Sequence, residues 1–402
     1  MKGTRFVKKI TMLAIILILP VSLWAFDYGL VTNIYTGFDG AEKNVFEFKA
    51  DILPRISFLL GDNGGLFISA GLAIDKKDKG AAVIPELLRT EFTWRFGNSG
   101  IKIGRMNYSD PLGFIVNGLF DGFQYIYNSS SGRFSFGAWY TGLLYKGNAE
   151  IAMTPNDQAL LASPLDYSHF ADTYFAPKRI IAAFEWNHPS AGELMLLNAA
   201  AVIQADLAKT NKYHNQYVIL KAGIPVKSFI FEFGGSAEFS QKDNQFGAAL
   251  AGVLDFTWML PANIISKLSF NGKIAGGKIE GSLEAFNPVS TRYMGNVFKH
   301  KITGLTVLGV DYSARLIDSL GLSVNASYFI RNDLGTFTSY PVNSKDSGHF
   351  LGSEIFARII WSPLSDLQLN LGGGAFFPVM GNAGPKEKIH WRAELTLILA
   401  LL

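Results

Sequence analysis

The feature that most constrains this chain is an alternation of apolar and polar residues with period two, sustained over about ten residues and repeated many times. Ser319–Arg331 is a clear case. Leu320, Leu322, Val324, Ala326, Tyr328 and Ile330 alternate there with Ser323, Asn325, Ser327 and Arg331. A strand points successive side chains to opposite faces, so such a run has one apolar face and one wet face. In Phe229–Ser240 (FIFEFGGSAEFS), Phe229, Phe231, Phe233, Ala237 and Phe239 share one side, and Glu232, Ser236 and Glu238 the other. The stretch holds no lysine or arginine. The wet side must therefore meet water or the cations of neighbouring strands.

Runs of this length suit strands that cross a bilayer at a tilt, which takes ~9–11 residues. Candidates in the first half are Tyr28–Thr36, Val45–Leu60, Leu66–Ile74, Leu87–Phe96, Gly100–Asn107, Gly122–Asn128, Arg133–Tyr145, Arg179–Asn187 and Glu193–Ala205. The second half adds Tyr213–Ile224, Ser228–Ser240, Gln245–Met259, Ile264–Ala275, Lys301–Leu316, Ser319–Arg331, Phe350–Trp361, Leu367–Phe377 and Ile389–Leu401. Only Glu193–Ala205 carries enough good helix formers to leave a helix open. Half the residues are hydrophobic and 32 are Phe, yet no apolar run beyond the N-terminus reaches the ~20 residues of a spanning helix. The chain is therefore expected to be all-β: a closed antiparallel transmembrane β-barrel of about 18 strands, with 16 as the alternative.

The connections sort by side. Even-to-odd junctions are short and rich in turn chemistry, as in Asp62-Asn63-Gly64, Asn98-Ser99-Gly100 and Pro189-Ser190-Ala191-Gly192. Odd-to-even junctions are mostly longer: Asp110–Phe120, Lys146–Pro177, Gly276–Asn296, Asn332–Gly348 and Gly381–Lys388. Short turns on one side and long loops on the other is the outer-membrane layout, with both chain ends on the periplasmic side. Trp94, Trp186, Trp258 and Trp361 each precede a short turn and share the apolar parity of their strands. They are expected to form an interfacial girdle in contact with the lipid bilayer.

The N-terminus has a basic head (Lys2, Arg5, Lys8, Lys9), an apolar run Ile10–Leu19, and Ala25 as a small residue for cleavage. Residues 1–25 read as a secretory signal peptide and 26–402 as a single barrel domain. Removing the four basic residues of the signal turns the net charge of +3 into one near −1, so no basic field points to nucleic acid. There is no cysteine, which excludes disulfides and thiolate metal sites. The expected location is the cell outer membrane, reached with the help of its assembly machinery.

Charges fall on the faces opposite the apolar ones. Parity assigns Arg89, Glu91, Arg95, Lys221, Glu232, Glu238, Asp255, Lys267, Lys273, Asp311, Arg315, Glu354, Arg358, Arg392 and Glu394 to a pore lining. The stretch RMNYSDPLGFIVNGLFDGF (Arg105–Phe123) is too apolar to rest comfortably in water. It is expected either to fold inward as a constriction loop, with Asp110, Pro111, Phe114, Phe120 and Asp121, or to cap the rim. The six histidines are scattered without metal-ligand spacing, and no nucleophile-elbow motif is present. No enzyme, metal or cofactor is expected.

Four features together resemble outer-membrane β-barrels of spirochaetes: the export signal, the alternating strands, IKIGRMNYSDPLGFIVNGLFDGF (Ile101–Phe123) and the tail WSPLSDLQLNLGGGAFFP (Trp361–Pro378). More distantly, the glycine-arginine strand end followed by a Phe-Asp-Gly segment is similar to 18-stranded porins of the alginate-export type. The chain departs from the usual barrel in ending on Leu402 rather than an aromatic residue. The expected function is a channel for passive or weakly selective passage of small polar solutes. The alternatives are a transporter of hydrophobic ligands and a surface adhesin using the long loops.

Overall fold

The structure is a computed structural model that describes residues 26–40, 44–77, 80–242, 245–261, 264–278, 284–335, 347–383 and 388–401. The expected signal peptide, residues 1–25, lies outside them, as does most of Asn332–Gly348. The first nine strands are β1 (Phe26–Gly40), β2 (Asn44–Leu60), β3 (Gly64–Lys77), β4 (Gly80–Phe96), β5 (Ser99–Ser109), β6 (Asn117–Ser129), β7 (Gly132–Tyr140), β8 (Arg179–Ala191) and β9 (Met195–Asp206). The others are β10 (Tyr213–Val226), β11 (Phe229–Lys242), β12 (Gln245–Met259), β13 (Ile265–Ala275), β14 (Leu305–Ile317), β15 (Leu320–Arg331), β16 (Phe350–Leu364), β17 (Leu367–Phe377) and β18 (His390–Leu401). Each pairs antiparallel with its sequence neighbours, and β1 closes on β18 from Leu30↔Leu401 to Gly40↔Trp391. The result is the expected closed barrel of 18 strands. Its ambiguous segment, β9, is a strand paired on both sides. Paired neighbours satisfy its backbone along the wall, which outweighs the helix propensity of its alanines.

The alternation sorts inside from outside. On β11, Phe231, Phe233 and Phe239 are 42–50% exposed, whereas Ser236 and Glu238 are buried. Phe246, Leu250 and Leu254 on the adjacent β12 are likewise exposed. Trp94 and Trp361 lie exposed on the same outer surface, and Trp186 and Trp258 lie half-buried on it. Trp186 donates from Nε1 to the Ser131 carbonyl at 2.8 Å, and Trp258 stacks with Phe229. Phe231→Arg places a charge on the apolar exterior, at a cost of about 2–4 kcal/mol near mid-depth. The variant is expected to lose the heat-modifiable band of an assembled barrel on gels, while Glu232→Gln keeps it.

Most of the core lies within the ring of strands. Among the described residues, three segments between strands fold inward at least in part: residues 110–116, 141–178 and 284–304. The second carries short helices α1 (Lys146–Ala149), α2 (Pro155–Ala162) and α3 (Phe170–Tyr174). A single apolar cluster joins Phe114, Ile115 and Val116 of the first loop, Ile151 and Met153 of the second, and Phe286, Val289 and Ile302 of the third. These pack on the inward side chains Val202, Ile219, Ala249 and Ala251 of the wall. Lys146–Pro177 and Gly276–Asn296, expected from sequence as surface loops, thus send part of their length inward: residues 151–153 and 174–176 of the first and 286–291 of the second are mostly buried, whereas much of 155–172 is exposed. Their apolar residues lose more free energy in water than the wall loses by being covered.

Candidate functional site: the lumen and its inward loops

The first inward loop is built on one carboxylate. Asp110 is 3% exposed and accepts the backbone N–H groups of Leu112, Gly113, Ile115 and Val116 at 2.8–3.0 Å. Burial pushes this carboxyl up, and the four amides oppose that rise. Gly113 takes the left-handed turn, with φ +76°. The loop tip carries Leu112 across the lumen to Gly234 of β11. Phe120 and Asp121, expected within the loop, stand instead on β6. There Phe120 is buried opposite Met106, and Asp121 pairs with Arg105 at 2.7 Å. The register of β5 with β6 starts at Asn117, so the strand claims both residues.

The third inward loop, residues 284–304, is a strap clasped at both ends by wall carboxylates. At one end Glu238 of β11 accepts the Asn287 N–H at 2.7 Å, and Tyr217 of β10 donates its hydroxyl to the Asn287 carbonyl at 2.6 Å. At the other end Glu354 of β16 accepts the N–H groups of Asn296, Val297 and Phe298 at 2.7, 3.0 and 2.7 Å. Between them, Ser290 donates to the Ile115 carbonyl at 3.0 Å, and Thr291 donates to the Glu150 carbonyl at 2.8 Å. Lys301 ties the strap to the second loop through Asn287 Oδ1 and the Ala152 carbonyl. Burial pushes its ammonium down to about 8, although Glu238 and Asp157 draw it upward. His300, half-buried next to it, is pushed down by desolvation to about 4. The second loop is further held by the buried Arg179, which donates to Asp157 at 2.6 Å and lies 3.4 Å from Asp206.

Charged side chains cover the wall on both sides of the strap. On β1, β2, β16 and β18 the centre is Arg392. Its guanidinium meets both oxygens of Asp39 at 2.6 and 2.7 Å, Glu394 at 3.0 Å and Glu47 at 3.6 Å, and it also donates to the Tyr35 hydroxyl. Arg358 shares Glu394 at 2.7 Å, and Lys299 at the strap tip reaches Asp39 at 3.4 Å. On β4 and β5, Glu91 is shared by Arg89 and Lys102 at 2.7 and 3.4 Å. On the facing wall a cavity of about 360 Å³ contains Lys221, Glu232, Asp255, Lys273 and Asp311, with Leu112 and Met294 from the inward loops. Lys221 and Glu232 pair there at 3.3 Å. Arg95, Lys267 and Arg315 are exposed toward the short-turn end.

The fifteen side chains assigned by parity thus occupy three settings. Glu238 and Glu354 are sealed under the strap. Arg89, Glu91, Arg358, Arg392 and Glu394 form ion-pair ladders, and the remainder border the cavity or the mouth. The sequence did not single out Tyr35, Asp39 or the strap itself. The strap's signal was present in Phe286 and Val289, large apolar residues in a supposed surface loop, whereas Ile302, expected on the strand Lys301–Leu316, precedes β14 and is buried with them.

Comparison with solved structures places the architecture. The chain superposes on Pseudomonas aeruginosa OpdK with vanillate with a TM-score of 0.63 and 13% identity, covering 94% of this chain and 98% of that one. It does so on P. aeruginosa OccK2 (OpdF) in complex with glucuronate with a TM-score of 0.59, 11% identity and coverage of 94% and 97%. For P. aeruginosa OccK5 (OpdH) the values are 0.61, 11%, 94% and 98%. The chain shares their fold. No protein-family model and no curated protein matches it.

Proposed function

We propose that the chain is an outer-membrane channel through which small polar solutes diffuse along a charged lumen narrowed by inward loops. The observation that carries this is the division of the wall. Its outer face is apolar, and its inner face holds half-exposed ion pairs such as Arg358–Glu394 and Lys221–Glu232 that only water makes affordable. The fold likeness to outer-membrane proteins solved with vanillate and glucuronate supports the solute class. Residues 1–25 serve as the export signal, the outer-membrane assembly machinery inserts residues 26–402, and the protein has no enzymatic role. The stretch Ile101–Phe123 and the tail Trp361–Pro378 carry our reading of kinship to spirochaetal barrels and, more distantly, to alginate-export-type porins.

The parity set, led by Arg89, Arg358, Arg392, Lys221 and Asp311, forms the polar path in this reading. Purified protein in planar bilayers is expected to give stepwise conductance. Asp110→Ala removes the acceptor of four loop amides, each worth about 1–3 kcal/mol when left buried and unpaired. It is expected to raise the unit conductance by roughly twofold as the loop leaves the lumen. A heat-modifiable, fully assembled protein that passes no current would overturn the channel.

A further inference from the structure

The barrel wall has a seam between β4 and β5. Their pairing runs only from Phe96↔Ser99 to Thr90↔Arg105. Beyond that point Gly80–Arg89 pairs with β3 alone, and Met106–Ser109 pairs with β6 alone, among the described residues. The divergence is written into the sequence. Gly104 adopts φ +110°, and a Cβ there would stand 1.8 Å from the Thr90 carbonyl oxygen, so the backbone bends where only glycine fits. The β3–β4 register slips next to this point, between Ser69 and Ala70. Pro85, which has no N–H to donate, lies on the freed edge, where proline is tolerated in a sheet.

Side chains rather than a strand close the seam. The Tyr167 hydroxyl accepts the Val83 N–H at 2.8 Å and donates to the Val83 carbonyl at 2.9 Å. The Tyr174 hydroxyl donates to the Pro85 carbonyl at 2.5 Å. Arg105, held by Asp121, donates to the Leu87 carbonyl and at 3.0 Å to the Leu143 carbonyl. Both tyrosines belong to the second inward loop, which therefore fills the gap in the wall as a stave. Behind it lies an apolar, aromatic cluster in which Tyr145, Phe170, Tyr174 and Phe175 pack on Ala73 and Ile84. In front of it, Val83, Leu87 and Ile103 are exposed on the apolar outer surface.

We propose that this seam is a lateral door through which a single-chain amphiphile, such as a fatty acid, exchanges between the aromatic cluster and the outer leaflet. An acyl chain matches the apolar surface on both sides of the stave. Its polar head matches the tyrosine hydroxyls and the Pro85 and Leu87 carbonyls that opening would expose. Displacing the stave breaks a few side-chain bonds, whereas parting two paired strands breaks a whole ladder.

The chain has no cysteine, so Ile84→Cys introduces a single thiol behind the seam. In proteoliposomes, N-dodecylmaleimide reaches it from the bilayer and a charged, water-soluble maleimide reaches it from the aqueous side. Tyr167→Phe with Tyr174→Phe removes the hydroxyl bonds and is expected to speed N-dodecylmaleimide labelling by about tenfold, with little change for the soluble reagent. Dodecanoate added to the membrane is expected to slow that labelling. Gel mobility confirms that each variant is assembled. Equal acceleration by both reagents would show a loosened loop instead of a door. No acceleration, or no protection by dodecanoate, would equally overturn the proposal.

Discussion

Glu354→Ala is expected to raise single-channel conductance by roughly two- to fivefold, because it releases the tip of the strap that spans the lumen. Three backbone amides, of Asn296, Val297 and Phe298, end on this one carboxylate. Each loses its partner in the variant, at about 1–3 kcal/mol per buried orphan. Phe298 remains packed on Phe329 and Phe376, and that burial resists release without replacing the lost acceptors. Glu354→Gln keeps one acceptor oxygen but turns an amide group toward the same donors, so an intermediate conductance is expected. Planar-bilayer recordings of the three proteins, at matched salt and voltage, decide the matter. Equal conductance in all three would mean that the strap does not bound the conducting path.

Arg392→Ala is expected to make the channel more cation-selective and the barrel easier to open. Asp39, Glu47 and Glu394 converge on this guanidinium, which is 7% exposed. Its removal leaves Asp39 to Lys299 and Glu394 to Arg358, and takes away the Glu47 ion pair. Breaking a buried pair in this way typically costs about 3–5 kcal/mol, and the partial exposure of Asp39 places this case at the lower end. The pair also bridges β18 to β1, where the barrel closes. The heat needed to shift gel mobility should therefore fall along with anion permeability. Arg392→Lys restores charge without the fork that holds both Asp39 oxygens, so it should recover selectivity better than stability. A reversal potential under a salt gradient that stays unchanged in Arg392→Ala would remove Arg392 from the path.

The wall was legible from sequence because a closed barrel with an apolar exterior repeats one rule on every strand. Parity alone placed Phe231 outside and Glu232 inside. The interior was legible only in part. Arg105–Phe123 betrayed itself by being apolar where a surface loop should be polar, but its boundary with β6 depends on pairing, which single-strand periodicity does not encode. Asp39 escaped notice because it lies at the far end of β1 and acquires its role only when β18 arrives beside it. The strap escaped because its clasps bind backbone amides, which every residue carries and no motif marks. Gly104-Arg105 was visible as a motif, and the structure supplies its physical reason in the divergence of β5 from β4.

The clasps have an evolutionary consequence. Asp110, Glu238 and Glu354 grip main-chain N–H groups, so at those points the course of the loop does not depend on which side chain the gripped residue carries. Such a lumen can drift in sequence, and with it in solute preference, while its scaffold stays put. Relatives of this protein are then better sought by the spacing of inward carboxylates along the staves than by the text of the loops.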